Sequence, residues 1–345
     1  MNIKKILFYR FSRKQTQILG GFGIILVFIS FAFFVYFKQG KDFSSIGKET
    51  KLVVEEVREK NISPFSGISC ENNKKRAVGV ILAQYPETMP LSGISEADIV
   101  IEWPVANAGG VTRLLAIFQC KSPKEVGSIR SVRPYMADIA LGFDVVLASW
   151  GGSRSAFERI EKIGLDWLNA MVNPSGAFFR KYGRYAPHNG FSTIHKLRLA
   201  MRDKKMRRRN RFSGYEFWQR KVKNRKTKQS IKINYNYTVE YVYDYKTGNY
   251  LRSWRGQKAI DANTGKQAYA KNVVLMKTKI GVLSPGVADA KVIGSGSAKI
   301  YKSGKVVDGK WRKRSSSGKL SFYDKNGKDI KFIPGPIWIE ITHKF

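Results

Sequence analysis

Twenty consecutive residues without a charge, Ile18–Phe37 (ILGGFGIILVFISFAFFVYF), decide where the rest of this chain can fold. At about 1.5 Å per residue, a helix of that length spans the roughly 30 Å hydrocarbon core of a bilayer. Residues 1–17 before it carry Lys4, Lys5, Arg10, Arg13 and Lys14 with no acid, whereas Asp42 and Glu49 dilute the lysines beyond it. That bias predicts a cytoplasmic N-terminus and a chain whose bulk is extracytoplasmic. The run is too long for the apolar core of a signal peptide, and no cleavage pattern or lipobox cysteine follows it closely. The first expected partner is therefore the lipid bilayer, engaged through residues 18–37 as a single-pass signal anchor, with residues 38–60 as a polar stalk.

Charge narrows the other partners. The 345 residues hold 62 Lys+Arg against 26 Asp+Glu, a formal net charge of +36. So large an excess favours polyanions: nucleic acid, anionic headgroups or anionic wall polymers. With 43% apolar and 13% aromatic residues, the chain is nevertheless built to fold rather than to remain a disordered basic tail. Its two cysteines, Cys70 and Cys120, are expected to pair outside the cytoplasm, the alternative being two buried thiols. Two cysteines without clustered histidines do not make a metal site, and no phosphate-binding P-loop or dinucleotide fingerprint points to a cofactor.

Periodicity divides the rest. Residues 61–201 alternate apolar runs with helical patterns, the signature of an α/β domain. The runs at 77–83, 98–104, 114–119 and 144–150 read as strands, and 134–141 as a helix opened by Pro134. Ser155 and Glu158 have capping-box spacing and predict a second helix from about Ser155. The aromatic and basic stretch 173–192 reads as a long loop, followed by a short helix over 193–201. From Arg202 to Lys228, thirteen Lys+Arg face only Asp203 and Glu216. This basic connector, residues 202–230, carries Tyr215, Phe217 and Trp218, which give part of it a means of docking. Residues 231–345 show many short strands with turn signals, including Asn326-Gly327, and predict a β-rich domain built as an antiparallel sheet, barrel or sandwich.

The candidate chemistry centres on Gly109–Tyr135. Arg113 stands at the mouth of a strand, and Arg130 and Arg133 flank a Gly/Ser turn that opens a helix. Guanidiniums beside exposed backbone N–H groups suit a bound oxyanion. Gly151, Gly152 and Ser153 follow a strand and lead into a helix, an arrangement that offers further N–H donors; the flanking pattern of a serine nucleophile is absent. His188 and Asn189 complete the candidate pocket, with His188 as hydrogen-bond donor or general base. Glu102 is counted among the ligand-binding residues, and both Glu102 and Asp98 are placed to pair with Arg113 or Arg130.

The assembled motifs resemble the YerB-like bacterial family. They include Pro90-Leu91-Ser92-Gly93-Ile94, Gly110-Val111-Thr112-Arg113, Val126–Arg133, Trp150-Gly151-Gly152-Ser153 and Arg184-Tyr185-Ala186-Pro187-His188-Asn189. The resemblance continues through Tyr250–Arg252, Asp261–Gly265 and Pro334–Trp338, and covers about residues 62–345. It implies a two-domain extracytoplasmic protein, often a lipoprotein in that family, and names no reaction. The expectation is a membrane-anchored envelope protein binding an anionic envelope component, a wall polymer or phosphorylated glycan, in an Arg/His-lined cleft. Two alternatives stand beside it: a hydrolase or transferase on such a substrate with His188 as base, and a nucleic-acid binder acting through the basic connector.

Overall fold

The apolar runs of the first half become the strands of the computed structural model, which describes residues 61–105, 111–235, 237–284 and 287–345. The expected basic tail, anchor and stalk, residues 1–60, lie outside the described residues. Among the described residues, no helix is long and apolar enough to cross a membrane. In chain order the first elements are β1 (Val78–Gln84), β2 (Ile99–Pro104), β3 (Thr112–Phe118), β4 (Val126–Gly127), α1 (Pro134–Gly142), β5 (Val146–Ser149), α2 (Arg154–Ile163) and β6 (Trp167–Asn169). Strands β1, β3 and β5 are buried along their whole length, which explains their long apolar runs, broken only at their ends by Gln84, Thr112, Arg113 and Ser149.

Helix α2 begins one residue before the expected Ser155 because its cap is Ser153, whose hydroxyl accepts the Ala156 N–H at 3.2 Å. Glu158 does not close a capping box; it pairs with Arg154 one turn back at 3.1 Å. The stretch 173–192 is also more regular than its composition implies. It contains β7 (Phe178–Arg180) and β8 (Gly190–Ser192), which pair with each other and with β4. Helix α3 (Ile194–Asp203) follows, capped by Thr193.

The second half supplies β9 (Glu216–Phe217), β10 (Ser230–Asn234), β11 (Thr238–Asp244), β12 (Asn249–Trp254), β13 (Gln257–Lys258), β14 (Tyr269–Ala270) and β15 (Asn272–Lys277). It continues with β16 (Ile280–Ser284), β17 (Val287–Ala290), β18 (Gly294–Lys302), β19 (Lys305–Lys313), β20 (Ser321–Asp324), β21 (Lys331–Phe332) and β22 (Ile337–Thr342). Among the described residues, ten strands form one mixed sheet in the order β20-β19-β18-β15-β22-β2-β3-β1-β5-β6. The last strand is thus central: β22 runs parallel to both β15 and β2. This corrects the expectation of a self-contained antiparallel second domain. Asn61–Phe345 is one compact unit, because an apolar strand such as IWIEIT, buried throughout, is best covered between two others. The connector docks as well. Phe212 and Phe217 are buried, Tyr215 packs on Phe332, and β9 pairs with β21. The Asn326-Gly327 turn forms, but beyond it Phe332 turns to β9.

The two sequence halves meet in a buried polar knot. Glu102 on β2 and Glu340 on β22 lie directly opposite one another, both without solvent exposure. Arg252 of β12 donates to Glu102 at 2.6 Å, and its guanidinium covers the Trp338 ring at 4.8 Å. Gln84 and Thr112 each donate to Glu102 at 2.7 Å, while the Tyr235 and Tyr241 hydroxyls donate to Glu340. The ion pair of Arg252 is with Glu102, so Glu340 carries the electrostatic cost of burial beside a second carboxylate. Burial, and then the neighbouring Glu102, push Glu340 up to about 8 from an ordinary value near 4.5.

A group whose folded pKa is raised contributes stability that is complete below its unfolded value and lost as pH rises through the folded one. Unfolding by urea is therefore expected to become easier between about pH 4.5 and 8, and Glu340→Gln, which mimics the protonated form, should flatten that trend. An identical pH slope in wild type and Glu340→Gln would show that Glu340 does not carry the proton.

Candidate functional site

The site forms at one edge of the large sheet, where β1 and β5 end and β3 begins. Ala83 and Arg113 are register partners on β1 and β3, so Arg113 sits at that edge although its strand runs the other way. The segment Ile129–Arg133 threads across the same edge. Its Arg130 N–H donates to Ile81 at 2.9 Å, its Arg130 carbonyl accepts from Trp150 at 3.0 Å, and Val132 bridges to Gly152. Arg133 closes the segment in an extended conformation and hands over to helix α1. Ends of parallel strands are where open sheets of this kind hold ligands.

Three guanidiniums gather there without a carboxylate among the described residues to neutralise them. Arg113 is 6% exposed, and the hydrogen bond it makes goes to the Thr112 carbonyl at 3.1 Å. Arg133 donates to the Val132 carbonyl at 3.2 Å, and Arg130 to the Pro187 carbonyl at 3.3 Å. The Nε atoms of all three are shielded from solvent and have no partner. Such orphaned donors are costly in a folded protein, and three of them along one sheet edge concentrate unspent hydrogen-bonding capacity there. Burial, followed by Arg130 and Arg133, pushes Arg113 down to about 9. Arg130 is lowered by burial and then by Arg133.

The His188 loop forms the other wall. The Ser128 hydroxyl donates to the His188 carbonyl at 2.7 Å, and the imidazole stacks on Tyr85 with ring centres 5.5 Å apart. Its Nδ1 has no partner. Burial and then Arg130 lower the His188 pKa from its ordinary 6.5; Arg113 and Arg184 add to the shift and Glu87 opposes it. Arg184 fastens the loop through the Thr88 and Pro90 carbonyls at 2.7 and 2.9 Å. Asn189 accepts from Arg180 at 2.6 Å, and Arg180 lies over the Trp150 ring at 4.4 Å. Gly190 is required here: a Cβ would stand 2.3 Å from that same ring. Tyr85, Trp150 and Arg184 were not among the sequence-read ligand residues. Trp150 and Arg184 lie within motifs quoted for the resemblance, but nothing in the sequence shows that their side chains turn toward the His188 loop.

Three expectations need correction. Glu102 is not a ligand residue: it is spent on Arg252, Gln84 and Thr112. Asp98 likewise accepts from the Ser66 hydroxyl and from the Gln119 and Cys120 N–H groups, and does not face the arginines. The Gly151–Ser153 turn offers fewer free donors than expected. Gly151, at φ 66°, gives its N–H to Asn169 at 3.1 Å, and Ser153 gives its own to Val132 at 3.3 Å. The Ser153 hydroxyl caps α2 and also meets the Ser155 hydroxyl at 3.1 Å. Arg113, Arg130, Arg133 and His188 do come together, whereas the Asn189 side chain is turned to Arg180. Cys70 and Cys120 form a disulfide, with Cα atoms 5.6 Å apart.

One compact β-rich unit with three arginines gathered at a sheet edge describes a class, and comparison with known proteins supplies the family. Residues 52–207 match the N-terminal domain, and residues 230–339 the C-terminal domain, of the family described as protein of unknown function DUF3048. The chain belongs to that family. YerB of Bacillus subtilis (strain 168), whose name describes it as a candidate lipoprotein, is 29% identical over 308 residues, covering 87% of this chain and 92% of the relative. The crystal structure of YerB superposes with a TM-score of 0.74 at 28% identity, covering 82% of this chain and 97% of that one.

Arg113 holds a charge that the fold alone does not need. Replacing it by the similarly sized Met removes a buried cation and the repulsion from Arg130 and Arg133. Arg113→Met is expected to stabilise the protein by on the order of 1 kcal/mol in urea unfolding. A loss of comparable size would show instead that Arg113 is a structural strut.

Proposed function

We propose that this protein is an extracytoplasmic, membrane-anchored component of the cell envelope that binds an anionic envelope molecule, a wall polymer or phosphorylated glycan, in the Arg113–Arg130–Arg133 cleft. The observation that carries the reading is the set of three buried Nε donors without partners, held on one sheet edge by a rigid backbone. A tetrahedral oxyanion satisfies several guanidinium donors at once and relieves their mutual repulsion. His188, its pKa lowered beside the arginines, adds an imidazole that gains a proton more readily as negative charge arrives, and Asn189, Tyr85 and Trp150 suit the sugar or polyol that carries the anion. Placement in the envelope is supported by the uncharged run Ile18–Phe37 and by the lipoprotein description of the Bacillus relative.

The test is direct. Full-length protein in detergent is titrated with purified anionic wall polymer at moderate salt, as wild type and as Arg130→Ala. Affinity is expected to fall roughly tenfold or more, the scale of one lost charge-assisted contact, with the thermal melt unchanged. Equal affinity in the folded variant would remove the cleft as the binding site.

A further inference from the structure

A second basic cleft lies elsewhere on the molecule, beside the disulfide. It encloses about 680 Å³ and is lined by residues of the 72–76 loop, by Ser122, by one face of α3 and by Arg208 and Arg209. Seven of its lining residues are cationic (Lys74, Lys75, Arg76, Arg198, Arg202, Arg208 and Arg209) and none is acidic. Its walls are fixed. The Cys70–Cys120 bridge holds the loop, Asn72 donates to the Cys120 carbonyl at 3.0 Å, and Lys75 bridges to Arg209.

The charges divide into two kinds. Arg76 is tied to Asp144 and Asp166 and acts as part of the frame, and Arg202 pairs with Asp203 at 3.3 Å. Arg207, next along the chain, is likewise turned to Asp144. Arg208 and Arg209 have no ion pair among the described residues, nor have Lys74 and Lys75. Arg198 is held by Ser122 and the Gln119 carbonyl at 2.8 and 2.9 Å, yet its Nε is shielded and without a partner. Burial lowers the Arg198 pKa, the mark of a cation kept in place without adequate solvation.

We infer that this cleft binds a second anionic chain segment, a phosphodiester polymer without bases. Several free cations along a groove match regularly spaced phosphates better than they match one compact anion. The lining contains no Phe, Tyr or Trp. Single-stranded nucleic acid is held in such grooves by stacking its bases on aromatic rings, so a polyol-phosphate or sugar-phosphate chain is the better fit. The cleft shares only Arg202, Arg208 and Arg209 with the basic connector and no residue with the Arg113 site. It stands independently of the function proposed for that site.

The experiment measures stoichiometry as well as affinity. Full-length protein is titrated by calorimetry with a short synthetic glycerol-phosphate oligomer across a salt series, and in parallel with an oligothymidylate of equal charge. The variants are Arg208→Ala/Arg209→Ala, both exposed, and Arg130→Ala/Arg133→Ala. Wild type is expected to bind two equivalents of the glycerol-phosphate oligomer, and Arg208→Ala/Arg209→Ala one. The slope of log K against log salt for the lost equivalent should reflect about two or more neutralised phosphates. Loss of one equivalent in Arg208→Ala/Arg209→Ala but none in Arg130→Ala/Arg133→Ala upholds this cleft while removing the other site. Unchanged stoichiometry and affinity in Arg208→Ala/Arg209→Ala overturns the inference. So does oligothymidylate bound as tightly at this cleft, which would make it a nucleic-acid groove.

Discussion

The ion pair between Glu102 and Arg252 organises this structure. Its partners come from strands 150 residues apart in sequence, so it joins the first half of the chain to the second. Leaving either member alone in that interior would cost several kcal/mol. Beside the pair, β22 is held at the centre of the sheet with Glu340 paired in register to Glu102 and within reach of the Tyr235 and Tyr241 hydroxyls. Gln84 and Thr112 are drawn into the same network. Together they close the face of the sheet on which β10, β11 and β12 pack.

The pair has a second consequence at the opposite face. Antiparallel register sets Trp103 against Arg113 and Glu102 against Leu114. Side chains alternate along a strand, so Glu102 and Arg113 point to opposite faces although their strands are neighbours. The nearest acid in sequence terms is thus used on one side while Arg113 stands on the other. Arg130 and Arg133 arrive from a segment with no acid of its own. An uncompensated positive cluster follows from these two facts, and it is the property on which anion binding rests.

Much of this was legible in the sequence. Long apolar runs gave β1, β2, β3 and β5, because strands buried on both faces need no alternation. The three arginines and His188 were readable as a site because each sits beside glycine or proline turns that fix the local backbone. The Glu102 assignment failed for a reason sequence cannot supply: one residue of register decides which face a side chain takes. Arg252 could not be paired with Glu102 without knowing that β12 covers the large sheet. The place of β22 was hidden similarly, since IWIEIT is equally suited to closing an antiparallel domain and to filling a gap between β15 and β2. The second cleft was obscured by composition, where Arg207 inside the fold and Arg208 outside it look alike.

The central claim is that the Arg113–Arg130–Arg133 cluster is an anion site whose charge goes unanswered in the free protein. The imidazole of His188 reports on it, since Arg130 and Arg113 lower its pKa. The measurement is the NMR titration of His188 in the full-length protein, free and with saturating sulfate, whose charge does not change over this pH range. The account predicts a pKa below the ordinary 6.5 in the free protein and a clear rise when sulfate binds. The same pKa in both states, with sulfate shown to be saturating, would contradict it.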